Sequence, residues 1–348
     1  MTKHQPPEVL IIVDVPNWAH DYKTRNLQRA LGDEYRILKR YESELTEAEF
    51  DRADLIIVYY WLQFARLSGL EAAFLRNRHK LLVGICSHFE VEGKFREPAL
   101  AALRKMARGI FTVNLSLYRE FQSIADVPVF YTPNGVAMDF YCPRAAIPAP
   151  ARPEIPDNAE PVGFRAGLKS RLSFINGLLP GSGGRTAKPV VRVGWAGSLS
   201  NVGAEHRGFY NLIVPAIRSV RGARLVAAAR EKKWRGPDEM LEFYRSIDIY
   251  LCASRSEGTP NPCLEAAACG VPVVTTRVGN MPELIEPGVN GLFVERNVPD
   301  IADKITLLRD NLQLRTQLSQ SMLASIQAWD WKHQAENYRG MFESVLNG

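Results

Sequence analysis

Residues 254–284 read SRSEGTPNPCLEAAACGVPVVTTRVGNMPEL, and the rest of the chain makes most sense as a frame for this stretch. It begins where an apolar run, IDIYLCA (Ile247–Ala253), gives way to small and polar residues. A Gly258–Pro260 turn follows, and Asn261, a favoured helix cap, stands directly before Pro262, which suits a first helical turn. Residues 262–269 are rich in Ala and predict a helix that stops at Gly270, and the β-branched run Val271–Thr276 predicts a strand. In a parallel sheet, a helix N-terminus following a strand is an anion site, because its free N–H groups and dipole face whatever lies beyond the strand ends. The backbone amides of Gly258, Thr259 and Asn261 are therefore expected to receive anionic oxygens; Pro260 has no N–H to offer. Two carboxylates flank the site, Glu257 before the helix and Glu265 within it, with seven residues between them.

The frame has room for two domains, since 348 residues at 46% hydrophobic content can give each its own core. No run approaches the 18 or so apolar residues of a membrane span, and the polar start MTKHQPPE lacks signal-peptide character. Cys86, Cys142, Cys252, Cys263 and Cys269 are odd in number and include no CxxC pair, which reads as reduced, unliganded thiols in a cytoplasmic protein. The net charge of +5 is not spread evenly: residues 1–143 carry 18 basic and 18 acidic side chains, and 144–188 carry 7 and 3. Most of the excess lies in a connecting segment, with no basic face interleaved with aromatics, so nucleic-acid binding is set aside.

EVLIIVDV (Glu8–Val15), ADLIIVYYW (Ala53–Trp61), KLLVGICSH (Lys80–His88), GIFTVN (Gly109–Asn114) and VPVFYTPNGV (Val127–Val136) are apolar runs of buried-strand length, separated by stretches of helical spacing. About five strands in this alternation predict a parallel sheet covered on both faces, ending near Pro143. Composition then shifts over 144–188, where Leu168, Leu172, Ile175 and Leu179 give one amphipathic helix in a connecting segment. That helix reads as the cover of a domain edge, with a membrane-surface contact as the sharper alternative. A second alternating set, PVVRVGWAG, ARLVAAA, IDIYLCA, VPVVTT and GLFVE, occupies 189–330, with helices expected over 299–327 and 333–346 on either side of AWDW.

With two doubly wound domains and the Glu257–Glu265 pair, the chain resembles a family 4 glycosyltransferase. The resemblance rests on SRSEG after a strand, EAAACGVPVV along the helix, VGNMPELIEPGVNGLFV beyond it, and YTPNGVAMDFYCP and WDW as crossover segments; it is strongest over 244–296. It implies the GT-B fold, two Rossmann-like α/β domains facing a cleft. Residues 1–143 would bind the acceptor and 189–330 a nucleoside-diphosphate sugar, and the helix of 331–348 would cross back to the first domain. It implies a retaining, metal-independent transferase needing no cofactor besides its nucleotide-sugar co-substrate. The acceptor would be a saccharide or glycolipid hydroxyl, in cell-envelope polysaccharide assembly, with a peripheral contact at the inner face of the plasma membrane. Two other classes stay open: a catalytically silent subunit of this fold that binds nucleotide or a partner, and a sugar-nucleotide epimerase.

By the same resemblance, the 254–265 segment, with Ser254, Gly258, Thr259, Pro260 and Asn261, holds the donor; Glu265 accepts from the ribose hydroxyls and Glu257 bonds the transferred sugar. The family places an Arg after the first glycine of the C-domain loop and a Lys some five residues on. GWAGSLSNVGAEHRGF instead follows Gly197 with Ser198, and offers Arg207 for the second position, where a guanidinium can clamp two phosphate oxygens. Arg230 or Lys232, after ARLVAAA, would supply the missing charge. His88, closing LLVGICSH, resembles the N-domain histidine beside the anomeric carbon; His20, in the first βα loop, is a weaker candidate. That loop, PNWAHDYK, has no glycine. Trp18 and Tyr22, with Tyr59, Tyr60 and Trp61, offer an aromatic floor for an acceptor, of which Trp18 stands out because core packing explains Tyr59 and Trp61 nearly as well. Lys94, Arg96, Arg104, Lys105 and Arg108 read as a solvated helix face, with anionic lipid as the sharper alternative.

Overall fold

The computed structural model describes residues 5–143 and 190–347. Its first sheet is six-stranded and parallel, in the order β2-β1-β3-β4-β5-β6. The strands are β1 (Glu8–Val13), β2 (Arg36–Tyr41), β3 (Leu55–Val58), β4 (Leu81–Ile85), β5 (Gly109–Thr112) and β6 (Val129–Tyr131). The second is five-stranded and parallel, β11-β10-β9-β7-β8, built from β7 (Val191–Gly197), β8 (Ala223–Ala229), β9 (Ile249–Cys252), β10 (Val273–Thr275) and β11 (Leu292–Phe293). Two Rossmann-like sheets of this kind make the fold GT-B.

Side-chain alternation explains the layers, because successive residues of a strand face opposite sides of the sheet. On β1, Val9, Ile11 and Val13 join Leu27 and Leu31 of the first helix (Ala19–Leu31), while Leu10 and Ile12 join Phe50, Phe74 and Leu103 on the other face. In the second sheet Val193, Ile249, Leu251 and Val274 pack against Ile301 and Ile305, and Tyr250, Cys252 and Val273 against Leu264 and Ala267. The C-terminal helix (Trp331–Leu346) buries Trp331, Ala335, Tyr338, Met341 and Phe342 against the β1 face of the first sheet, and Tyr338 Oη donates to the Thr132 carbonyl at 2.8 Å. Each large side chain buried there contributes about 1.5–3 kcal/mol over exposure.

Three expectations need correction. The first sheet has six strands, not five: β2, RILKRY, is an edge strand whose Lys39 and Arg40 pair with Asp21 and Glu49, so its polar residues hid it from an apolar pattern. The helix expected over 299–327 is two, Val298–Asp310 and Leu312–Ser325, divided at Asn311, whose side chain caps the second by accepting from the Leu314 amide at 2.8 Å. Asn261 is not a cap, for reasons given by its partners at the site. The expected helix between 168 and 179 lies outside the described residues.

Candidate active site

In doubly wound sheets, ligands collect beyond the carboxyl ends of the strands, where the strand order reverses. In the first sheet that point lies between β1 and β3, flanked by Asp14, His20 and Tyr59–Trp61. In the second it lies between β7 and β9, flanked by Gly197, Ser198 and the segment from Ser254 onward. The two ends face each other: the Arg230 guanidinium, just after β8, lies 4.4 Å over the Trp18 ring, just before the first helix.

In the second domain, Ser254 is buried and its hydroxyl donates to Glu257 Oε1 at 2.8 Å. Arg207 Nε is 3.8 Å from the same carboxylate oxygen. Arg207 follows a short helix, Asn201–His206, and lies against Gly197, where an added Cβ would come within 3.2 Å of Arg207 Cδ. The two loops are stapled together by groups that motif reading had not singled out. His206 Nε2 meets the Ser256 carbonyl at 2.7 Å, the Arg255 amide donates to the His206 carbonyl, and Arg296 donates to the carbonyls of Ala253, Glu205 and His206.

The helix Asn261–Ala268 does not present its first amides to a ligand. The Asn261 N–H donates to the Thr259 carbonyl at 2.9 Å, Pro262 has none, and the Cys263 N–H donates to the Pro260 carbonyl at 2.8 Å. Asn261 Oδ1, instead of capping the helix, accepts from Asn134 Nδ2 at 3.1 Å. The amides of Gly258 and Thr259 donate to none of the described residues, so the expected anion site narrows from three amides to these two. Glu265 Oε2 accepts from Tyr244 Oη at 2.6 Å, and the Tyr141 hydroxyl stands near enough to favour its ionised form. Desolvation pushes its carboxyl up to about 7 against those two hydroxyls. Tyr22, in the first domain, is near enough for the Glu265 charge to raise its own pKa after burial has done so.

Where a cation was missing, the structure places a carboxylate. Ser198 Oγ and the Leu199 amide both donate to Glu231, at 2.5 and 2.7 Å. Arg230 Nη2 stands 3.6 Å from Glu231, and Lys232 is exposed beside it.

In the first domain, Asn17 supplies the left-handed turn (φ 59°) that a glycine would otherwise take in the first loop. His20 Nδ1 is 3.3 Å from Asp14 Oδ1, and its ring stacks on Tyr59 at 4.6 Å. Burial works to raise the Asp14 pKa, but the His20 hydrogen bond and charge and the Val15 amide hold it below the usual range. The aromatic floor largely dissolves: Tyr59 is fully buried with its hydroxyl on Thr24, Trp61 Nε1 donates to the Glu90 carbonyl, and the Tyr60 hydroxyl is bound by Arg66. Trp18 keeps 40% exposure but offers one face to Arg230. His88 lies in a 3-10 turn after β4, 3.4 Å from Ser116 Oγ. The basic stretch is largely neutralised, with Arg96, Arg104 and Lys105 paired to Glu120, Asp126 and Glu71. Beneath this floor Lys23 is buried among the rings of Tyr59, Phe111 and Tyr338, at 5.0–5.4 Å, without a hydrogen-bond partner among the described residues. A recess of about 460 Å³ lined by Val226, Arg235 and Glu242 carries none of these groups.

Among the described residues, no three His, Cys, Asp or Glu side chains are grouped to hold a metal, and no helix is long and apolar enough to cross a membrane.

Residues 212–311 match the family model described as Glycosyl transferases group 1. The chain is 34% identical over 109 residues to an uncharacterized glycosyltransferase of Methanocaldococcus jannaschii, covering 31% of each protein. It is 25% identical over 316 residues to a D-inositol 3-phosphate glycosyltransferase of Corynebacterium jeikeium, covering 84% of this chain and 72% of that one. To the enzyme of the same name from Acidothermus cellulolyticus it is 33% identical, over 32% of this chain and 25% of the other. The chain thus spans about a third or less of the length of two of these three relatives. Among solved structures, Anabaena HepE in complex with UDP-glucose superposes with a TM-score of 0.69 at 13% identity, over 97% of this chain and 99% of that one. Sucrose-phosphate synthase from Thermosynechococcus elongatus gives 0.65 at 13%, over 98% and 99%. Residues 212–311 thus match a glycosyl transferase family model, and the chain as a whole shares the GT-B fold of its structural neighbours.

Proposed function

We propose that the protein is a retaining, metal-independent glycosyltransferase of family 4 type that moves a sugar from a nucleoside diphosphate to an acceptor hydroxyl. The observation that carries this reading is Glu257, fixed between the Ser254 hydroxyl and Arg207 at the reversal point of the second sheet. Glu257 bonds a hydroxyl of the transferred sugar. The Gly258 and Thr259 amides and Arg207 take the diphosphate, and Arg230 adds the charge that Ser198 does not supply. Preorganised donors of this kind stabilise charge that grows as the leaving group departs. The bond from C1 to the diphosphate breaks, the acceptor oxygen bonds C1 on the same face, and its proton passes to the departing phosphate oxygen. Glu265 binds the ribose, and its bond from Tyr244 holds it in place for that role.

UDP-glucose is the first donor to test, since a structural neighbour was crystallised with it. The acceptor domain, with Tyr22, His20 and His88 at its strand ends, is proposed to take a saccharide, a glycolipid or, as the relatives' names suggest, a phosphorylated polyol. An envelope role with peripheral membrane contact remains part of the proposal, though three of the five basic residues first considered for that contact are paired. The test is release of nucleotide from UDP-, GDP-, ADP- and dTDP-sugars with and without acceptor extracts and EDTA, comparing wild type with Glu257→Ala and Arg207→Ala. Turnover that survives EDTA and falls at least 100-fold in Glu257→Ala supports the reading. A second reading, a silent nucleotide-binding subunit, is favoured by Glu231 facing Ser198; it wins if a nucleotide binds and no donor turns over.

A further inference from the structure

Consecutive residues at the start of one helix of the first domain, Leu115–Ile124, each reach the second domain. Asn114 is fully buried and uses both ends of its amide. Its Oδ1 accepts from the Leu117 N–H at 2.9 Å, capping the helix, and its Nδ2 donates to the Gly258 carbonyl at 3.1 Å. The amide's orientation follows from its neighbours, because a backbone N–H can only donate and a carbonyl can only accept. The next amide, Leu115 N–H, donates to Glu283 Oε1 at 2.7 Å, and Glu283 Oε2 accepts from the Tyr131 hydroxyl. A carboxylate at a helix N-terminus is favoured by the dipole.

Both ties converge on the segment that presents amides to the donor. Gly258 is packed so closely that an added Cβ would fall 1.5 Å from the Cys86 carbonyl oxygen. On its other side Gly279 (φ 54°) approaches until its own added Cβ would lie 2.4 Å from the Gly258 carbonyl oxygen. That carbonyl is thus seated between Asn114 of the first domain and Gly279 of the second, and because the Thr259 N–H shares its planar peptide and points the opposite way, the hold on the carbonyl sets the direction of that amide.

We propose that Asn114 is a positioning residue for the donor: by capping a first-domain helix while holding the Gly258 carbonyl, it aims the Thr259 amide of the same peptide into the site. This rests on the transfer reading above. Asparagine suits the task because serine can keep the cap but cannot reach Gly258 as a donor, and aspartate keeps the cap but offers Gly258 only an acceptor.

The test compares Asn114→Ser, Asn114→Asp and Asn114→Ala with wild type in two measurements. In the ligand-free protein, amide hydrogen exchange over residues 254–265 should quicken in both the Ser and Asp variants, while residues 117–124 keep wild-type protection. With UDP-glucose, or whichever donor of the panel turns over, kcat/KM should fall about tenfold or more in the Ser variant with its melting temperature within a few degrees of wild type, and at least as far in the Asp variant, where a buried carboxylate against the Gly258 carbonyl also lowers the melting temperature. Asn114→Ala should lose both activity and helix protection. Wild-type exchange over 254–265 in the Ser and Asp variants overturns the proposal. So does a loss that appears only in Asn114→Ala and tracks its melting temperature. If wild type turns over no donor, the transfer reading fails, and the exchange experiment still decides whether Asn114 holds the loop.

Discussion

Gly258→Ala is the smallest substitution that should separate the donor loop from the first domain. The new Cβ would lie 1.5 Å from the Cys86 carbonyl oxygen and 3.0 Å from Val113 Cγ2. An unstrained carbon–oxygen approach is about 3.3 Å, so loop and strand end must part by roughly 1.8 Å. That displacement carries the Asn114–Gly258 bond, now 3.1 Å, beyond hydrogen-bond reach. Losing one such bond costs about 0.5–1.5 kcal/mol, which lowers the melting temperature by only a few degrees in a protein of this size. Catalysis should suffer more, because a misplacement of about 1 Å at reacting groups costs ~100-fold. Steady-state nucleotide release from the active donor should show kcat/KM down by about two orders of magnitude. Gly69→Ala, where an added Cβ meets nothing within 4 Å, serves as the control and should match wild type. A Gly258→Ala enzyme within threefold of wild type refutes the packing argument.

Other outcomes follow from the same geometry. The folded-state pKa of Glu265 is raised to about 7, so the native state holds a proton that the unfolded chain has already lost. This group's contribution therefore favours folding at low pH and is lost as pH rises from about 4.5 to 7. Glu265→Gln should flatten that part of a melting-temperature profile, and an unchanged profile would show the burial argument to be wrong. Burial pulls Lys23 down to about 8, with Cys86 and Glu90 opposing, and no hydrogen bond from the described residues offsets the cost. Lys23→Met should accordingly melt higher than wild type at pH 7, with the advantage shrinking as pH climbs from about 8 to 10.5; a lower melting temperature would point to a partner that stabilises the ammonium. Trp18→Phe should keep most donor turnover and Trp18→Ala lower it by about 2- to 30-fold, with little further loss on adding Arg230→Ala, since a cation over a ring contributes about 0.5–2 kcal/mol. Fully additive losses would mean that the two side chains act separately.

The sheets were legible because runs such as EVLIIV and LIIV are buried on both faces and carry little that is polar. β2 escaped because an edge strand can carry Lys39 and Arg40 and satisfy them with the carboxylates of the helices on either side of it in sequence, Asp21 and Glu49. The donor stretch was readable as strand, loop and helix, since Pro262 and Gly270 mark their boundaries locally. Its hydrogen bonds were not readable: propensity assigns Asn261 to a cap, and only the position of Asn134 shows why it serves elsewhere. Asn114, Glu283, His206, Arg296 and Glu231 belong to the same class of miss. Each acts through a partner distant in sequence, and none lies in a spacing that names its role. Asn17 was the closest to being found, because a glycine-free loop that must turn sharply needs an asparagine or aspartate at a left-handed position.

Whether the donor lies against the 254–265 segment is decided by a crystal soaked with UDP-glucose. A diphosphate is expected within hydrogen-bond distance of the Gly258 and Thr259 amides and of Arg207 or Arg230, with a sugar hydroxyl on Glu257. A nucleotide bound away from that segment, or with its phosphates beyond reach of both amides, would contradict that expectation.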